Sequence, residues 1–162
     1  DANVFIDMEL MGLFELWTAL GYQTITTSMI EVELRRGGHS EALAYLATDS
    51  IEVLEPDTGQ VEALQHALDK SVSLQDASVL FVALQYDAML LTGDKRLRTN
   101  AELLEVECHG SIWILDQLVK SGKLEGRVAA AKLVRLLAFE GDQVRHLPKK
   151  TAKEYIERWK KR

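Results

Sequence analysis

From Ser71 to Arg98 the chain reads SVSLQDASVLFVALQYDAMLLTGDKRLR. Leu74 to Tyr86 is apolar on most faces, which predicts a helix buried nearly all round. Met89-Leu90-Leu91-Thr92 follows, too short for a helix and apolar throughout, as a strand buried on both faces would be. Gly93 turns the chain into a further helix that ends near Leu104. A covered helix joined to a covered strand has few stable solutions. The strand must lie in a parallel sheet with helices on both sides.

The remaining pattern agrees. Gln23–Thr27 is β-branched and strand-like, and Thr27 or Ser28 caps a helix that runs through Arg36 and stops at Gly37-Gly38. Ser40 caps a short helix to Thr48, Ile51–Leu54 alternates as a strand, and Pro56 interrupts. A helix spans about Gly59 to Lys70, Glu105–Cys108 is a further short strand, and Ser111 caps a helix to Val119 with Gly122 at its end. Val128–Phe139 and Ala152–Trp159 are two more helices with no strand between them. The expected fold is a three-layer α/β/α sandwich with a short, mostly parallel central sheet, plus additional C-terminal helices. Residues 1–122 form the sandwich, and residues 123–162 a helical extension packed on the same domain.

Composition removes several classes of function. Of 162 residues 47% are hydrophobic, enough for one domain with a real core. No apolar run approaches the roughly 20 residues that cross a bilayer, no signal peptide is expected ahead of the first strand, and, with no initiator Met, residues upstream of Asp1 are expected to have been removed or left out. The single cysteine, Cys108, forms no internal disulfide and suits a reducing cytoplasm. The histidines at 39, 66, 109 and 146 are scattered, which argues against a His/Cys zinc site. Net charge is −6, yet Lys149–Arg162 holds seven Lys or Arg against Glu154 and Glu157, a local balance of +5. Ala152, Tyr155, Ile156 and Trp159 form one apolar stripe on that segment. Docking on the domain, contact with RNA and contact with a protein partner all remain open for it.

Sites in open parallel sheets form at the carboxyl ends of the strands. Asp94 falls there. Asp76 starts the helix that leads into the same strand, and Glu33 lies about one turn into the helix after Gln23–Thr27. Asp1 is harder to place. In DANVFID, Val4-Phe5-Ile6 makes a short apolar strand, followed by a helix from Met8 to Leu20, and Asp1 then stands at the wrong end. Alternatively a strand upstream ends at Asp1, and DANVFID opens the first helix with Asn3 or Asp7 as capping or site residues. The second reading is preferred, because it puts Asp1 on the same sheet edge as Asp94.

DANVFID, TSMIEVEL, SLQDASVLFVA and LLTGDKRLR resemble, in order and spacing, the four acidic motifs of PIN-domain nucleases, most closely the VapC-like ribonuclease toxins of toxin–antitoxin systems. The resemblance covers roughly residues 1–122 and implies Asp1, Glu33, Asp76 and Asp94 as the four acids. It further implies hydrolysis of RNA phosphodiester bonds by an activated water, a cognate antitoxin as partner, and a homodimer.

Acids gathered at one point repel one another, and a hard oxygen donor set selects Mg²⁺ or Mn²⁺. Asp1, Asp76 and Asp94 are expected to hold the metal directly or through water, with Glu33 as a ligand or general base. Asn3 and Thr92 can orient those carboxylates by hydrogen bonds. Lys95, Arg96 and Arg98 can meet substrate phosphates. Each acid has a plainer alternative: Asp76 as an acid at a helix N-terminus favoured by the macrodipole, Asp94 as a turn residue that caps the next helix, Glu33 as an exposed helix acid paired with Arg36 or the preceding turn, Asp1 as a terminal residue. Asp7 and Asp116 are taken as structural or outer residues, and Trp17 and Trp113 as core or interface. The competing function is a catalytically silent PIN-like module that binds RNA or protein. A phosphoacceptor receiver domain needs two adjacent acids after its first strand, and DANVFID supplies one.

Overall fold

The structure is a computed structural model that describes residues 1–68, 72–139 and 147–161. DANVFID opens a helix. Helix α1 spans Ala2–Met11, and the Asp1 carboxylate caps it by accepting the Val4 amide at 3.1 Å. The strand reading of Val4-Phe5-Ile6 therefore fails, and the part of the alternative that opens the first helix in DANVFID stands. The expected helix from Met8 to Leu20 is also divided. Gly12 takes a left-handed φ of 59°, which costs glycine little, and α2 (Phe14–Thr18) leaves in a new direction. Phe14 then stacks on Tyr45 with ring centroids 4.7 Å apart, and Phe5 meets Trp17 at 5.4 Å.

Strand β1 (Thr24–Thr27) leads into α3 (Ser28–Gly37), whose first turn is held by the Thr27 hydroxyl. After α4 (Ser40–Leu46), β2 (Ile51–Leu54) returns parallel to β1, in register from Thr24 opposite Ile51 to Thr27 opposite Leu54. Ser40 is the first residue of α4 rather than its cap, and His39 precedes it without a capping bond. Helix α5 (Thr58–Ala67) begins on Asp57, and the expected end at Lys70 lies outside the described residues. Helix α6 (Leu74–Gln85), β3 (Leu90–Leu91) and α7 (Lys95–Leu103) follow the sequence pattern closely.

The next strand is displaced. Glu105 takes φ 59°, so pairing begins only at β4 (Cys108–His109), which lies parallel to β3. Helix α8 (Ser111–Lys120) starts on Gly110, because the Ser111 hydroxyl donates to Asp7 at 2.5 Å instead of capping. Helices α9 (Gly126–Leu137) and α10 (Lys149–Trp159) complete the described chain.

All described strand pairing is parallel, but it forms two two-stranded sheets, β1-β2 and β3-β4, where one sheet was expected. Helix α1 packs with α3, α4, α8 and α9, while α6 packs with α5 and α7 and against both β1 and β3. Met8, Leu13, Ile30, Leu34, Leu80 and Leu97 are buried between them. Each such side chain stabilises the fold by about 1.5–3 kcal/mol relative to exposure. The architecture is the expected α/β/α sandwich. Among the described residues no helix is long and apolar enough to cross a membrane.

Candidate active site

The carboxyl end of β3 carries the tightest group of polar contacts. Asp1 is buried there, with one carboxylate oxygen on the Val4 amide. The other accepts from the fully buried Thr92 hydroxyl and from the Gly93 amide at 3.3 Å. Thr92 Oγ1 in turn accepts the Asp94 amide at 3.0 Å, so one hydroxyl ties the two acids together. Asp94 Oδ1 takes the amides of Arg96 and Leu97 at 2.7 and 2.8 Å and caps α7. Asn3 packs against Gly93 beside them.

Asp76 approaches from α6. The cap residue Ser73 accepts the Asp76 amide at 3.0 Å and donates its hydroxyl to Asp76 Oδ2 at 2.7 Å. Asp76 is thus an acid in the first turn of α6 and Asp94 the cap of α7, as the plainer readings have it. They do not exclude a site, since a carboxylate has about four lone-pair positions. Glu33 lies on α3 within electrostatic reach of Asp76. Its carboxyl is held above the usual range, first by partial withdrawal from water and then by the negative charge of Asp76. His39 pulls the other way. Among the described residues no ion pair with Arg36 holds Glu33; the pair on this helix is Arg35 with Glu31 at 2.6 Å.

Glu33 and Asp76 therefore share one electrostatic neighbourhood, and Thr92 joins Asp1 to Asp94. Helices α1 and α7 start at Asp1 and Asp94, Asp76 lies in the first turn of α6, and the positive dipole ends offset part of the repulsion. In kind, the donors suit a hard divalent cation. As positioned, however, no three Asp, Glu, His or Cys side chains among the described residues converge closely enough to hold one ion.

A cleft of about 650 Å³ runs from Asn3, Thr92 and Asp94 to Tyr155 of α10. Lys95 and Arg96 are exposed at the start of α7, with Lys95 on the cleft wall. Arg98 has a different use from the one its position suggested. Its guanidinium donates to the Cys108 and Thr92 carbonyls, both at 2.9 Å, and clamps the ends of β3 and β4 together. His109, one of the scattered histidines, and Trp113, read from sequence as core or interface, stack their rings at 4.6 Å on the same wall. Asp7, set aside earlier, is buried in that wall and bonded to Ser111. Its signal was available: Asn3 and Asp7 lie four residues apart, on one face of α1.

Acids at the carboxyl edge of a parallel sheet, between two helical layers, stand where open α/β folds place their ligand sites. The particular family follows from the sequence match. Residues 1–161 match the family model DUF3368, a PIN domain, and the chain belongs to that family. PIN domains are in general nucleases, so the fold is that of a nuclease. No curated protein and no solved structure matches the chain.

Proposed function

We propose that this PIN domain is a Mg²⁺- or Mn²⁺-dependent endoribonuclease and the toxin of a toxin–antitoxin pair. The observation that carries the nuclease reading is the link Asp1–Thr92–Asp94, lying beside Glu33 and Asp76. Asp1, Asp76 and Asp94 are the acids that would hold the cation, and they would have to draw closer than they stand without it. When bound, it supplies a lowered water pKa and a polarised phosphoryl oxygen. Thr92 fixes the Asp1 carboxylate from behind, and Asn3 closes the side next to Gly93. Glu33, with its raised pKa, is suited to take a proton from the attacking water at its carboxylate oxygen. Lys95 and Arg96 meet the RNA backbone at the mouth of the cleft. The cytoplasm, a cognate antitoxin and a homodimer go with the toxin role, which rests on the motif resemblance.

The test is RNA cleavage with Mn²⁺ present, comparing wild type with Asp94→Asn. The asparagine side chain keeps the Oδ1 that caps α7, so the variant is expected to fold and to lose cleavage. Equal cleavage by the two proteins refutes the assignment.

A silent RNA- or protein-binding module is the second reading, favoured by the absence of a closed three-acid group among the described residues. Titration with Mn²⁺ separates the two. A folded protein that binds no Mn²⁺ at millimolar concentration supports the silent module.

A further inference from the structure

Three aromatic rings follow one another beside the candidate active site. Tyr22 lies 5.6 Å from Trp113, and His109 stacks on Trp113 at 4.6 Å with 10° between the ring planes. Tyr22 lines a cavity of about 320 Å³ between β1 and β3, Trp113 lines both that cavity and the cleft, and His109 lines the cleft. His109 is therefore the last ring of the series on the cleft side. Its Nε2–H donates to Glu107 Oε1 at 2.7 Å, which holds the ring by its edge. One face is thus backed, one edge is pinned, and the side chain is still 27% exposed.

We propose that the cleft-side face of His109 is a stacking platform for one unpaired nucleobase of an RNA strand whose phosphate meets Lys95. The proposal rests on the reading of this cleft as the path of RNA, and adds to it the group that takes a base. Position supports it first. The His109 carbonyl accepts the Thr92 amide at 2.8 Å, so the platform stands one strand over from Thr92 and Asp94, on the same sheet edge. Size agrees, because about 650 Å³ falls in the range of roughly 300–1,000 Å³ that takes one small organic ligand. The chemistry is that of a base site. A flat ring backed by an indole and pinned by a carboxylate offers a π-face that needs no further ordering when a base stacks on it. Exposed Lys95 on the same wall supplies the cation that a strand's phosphate requires. Leu147, Pro148 and Tyr155 line the cleft from the α10 side with apolar surface. A paired base is covered on both faces within its own duplex, so such a platform selects unpaired strands.

The test measures binding of two RNA hexamers of equal charge, in EDTA so that no cleavage occurs. One is abasic throughout, and the other is abasic except for a single 2-aminopurine. Wild type is expected to bind the base-bearing strand about tenfold more tightly, with the 2-aminopurine fluorescence quenched. His109→Ala should bind both strands alike and lose the quenching, and His109→Phe, which keeps a flat ring, should restore both. The wild-type comparison needs no substitution, so it decides the matter even where a variant fails to fold. Equal affinity of wild type for the two strands overturns the platform, and is the result expected of a cleft that seats a protein segment instead. So does a folded His109→Ala protein that still prefers the base-bearing strand about tenfold. The two readings fail separately. Equal affinity beside intact Mn²⁺-dependent cleavage removes the platform and keeps the nuclease, whereas preference for the base without any cleavage does the reverse.

Discussion

Replacing Asp116 tests how the C-terminal helix is held. Asp116 is 2% exposed, and its Oδ1 accepts both the Trp159 indole N–H at 3.1 Å and Arg158 Nη2 at 2.6 Å. Its Oδ2 meets Lys120 at 2.8 Å. Trp159 is fully buried, so Asp116→Ala leaves its N–H without that acceptor, at a cost of about 1–3 kcal/mol. Arg158 and Lys120 are about half exposed, and each pair contributes only about 0–1 kcal/mol. The sum is about 3 kcal/mol, which in a domain of this size lowers the melting temperature by roughly 6–12 °C. Asp116→Asn keeps an acceptor for Trp159 and should lose about 1 kcal/mol.

The pH dependence adds a second reading of the same group. Burial raises the Asp116 pKa, but the bonds from Lys120 and Trp159 and the charge of Arg158 outweigh it and hold the carboxyl below its usual value. A depressed acid stabilises the fold above its unfolded pKa and loses that contribution as pH falls through the folded value. The gap in melting temperature between wild type and Asp116→Asn should therefore be full at neutral pH and close below about pH 4. Thermal unfolding followed by tryptophan fluorescence measures it. An Asp116→Ala protein melting within about 1 °C of wild type, or a gap independent of pH, refutes the reasoning.

Arg98→Ala should destabilise the fold by about 1–3 kcal/mol, since it strips donors from the Thr92 and Cys108 carbonyls. Lys95→Ala should leave melting unchanged and weaken RNA binding, with a shallower salt dependence; denaturation and binding titrations separate the two. The raised Glu33 pKa means that its stabilising contribution is present below the ordinary carboxylate range and lost as pH rises through the folded value. Glu33→Gln should therefore melt higher than wild type at pH 7 without metal, and the difference should vanish in acid. Gly126→Ala places a Cβ about 2.4 Å from the Trp159 carbonyl oxygen, so α10 must shift on α9. A loss of about 1–3 kcal/mol in denaturant unfolding is expected.

Much of the fold is legible in local pattern. The covered run Leu74–Tyr86, the short apolar Met89–Thr92 and the Gly37-Gly38 stop each reappear within a residue or two, because burial and capping act over one or two turns. Errors fall where a distant partner redirects a residue. Ser111 looks like a cap, yet Asp7, 104 positions away, takes its hydroxyl. Arg98 looks like a phosphate contact, yet two strand-end carbonyls claim it. The apolar stripe of α10 does dock, through Ala152, Ile156 and Trp159. Nothing local announces that Asp116 is its anchor.

By itself, then, the sequence determined the alternation of short covered strands with helices and the order of the four acids, because periodicity and capping are properties of neighbouring residues. Tertiary structure alone decided which acids come together. Asp1 and Thr92 stand 91 residues apart and share one hydrogen bond, made only when α1 and β3 meet at the same edge. It also decided that the two sheets stand apart, since strand pairing depends on what fills the space between β1 and β3.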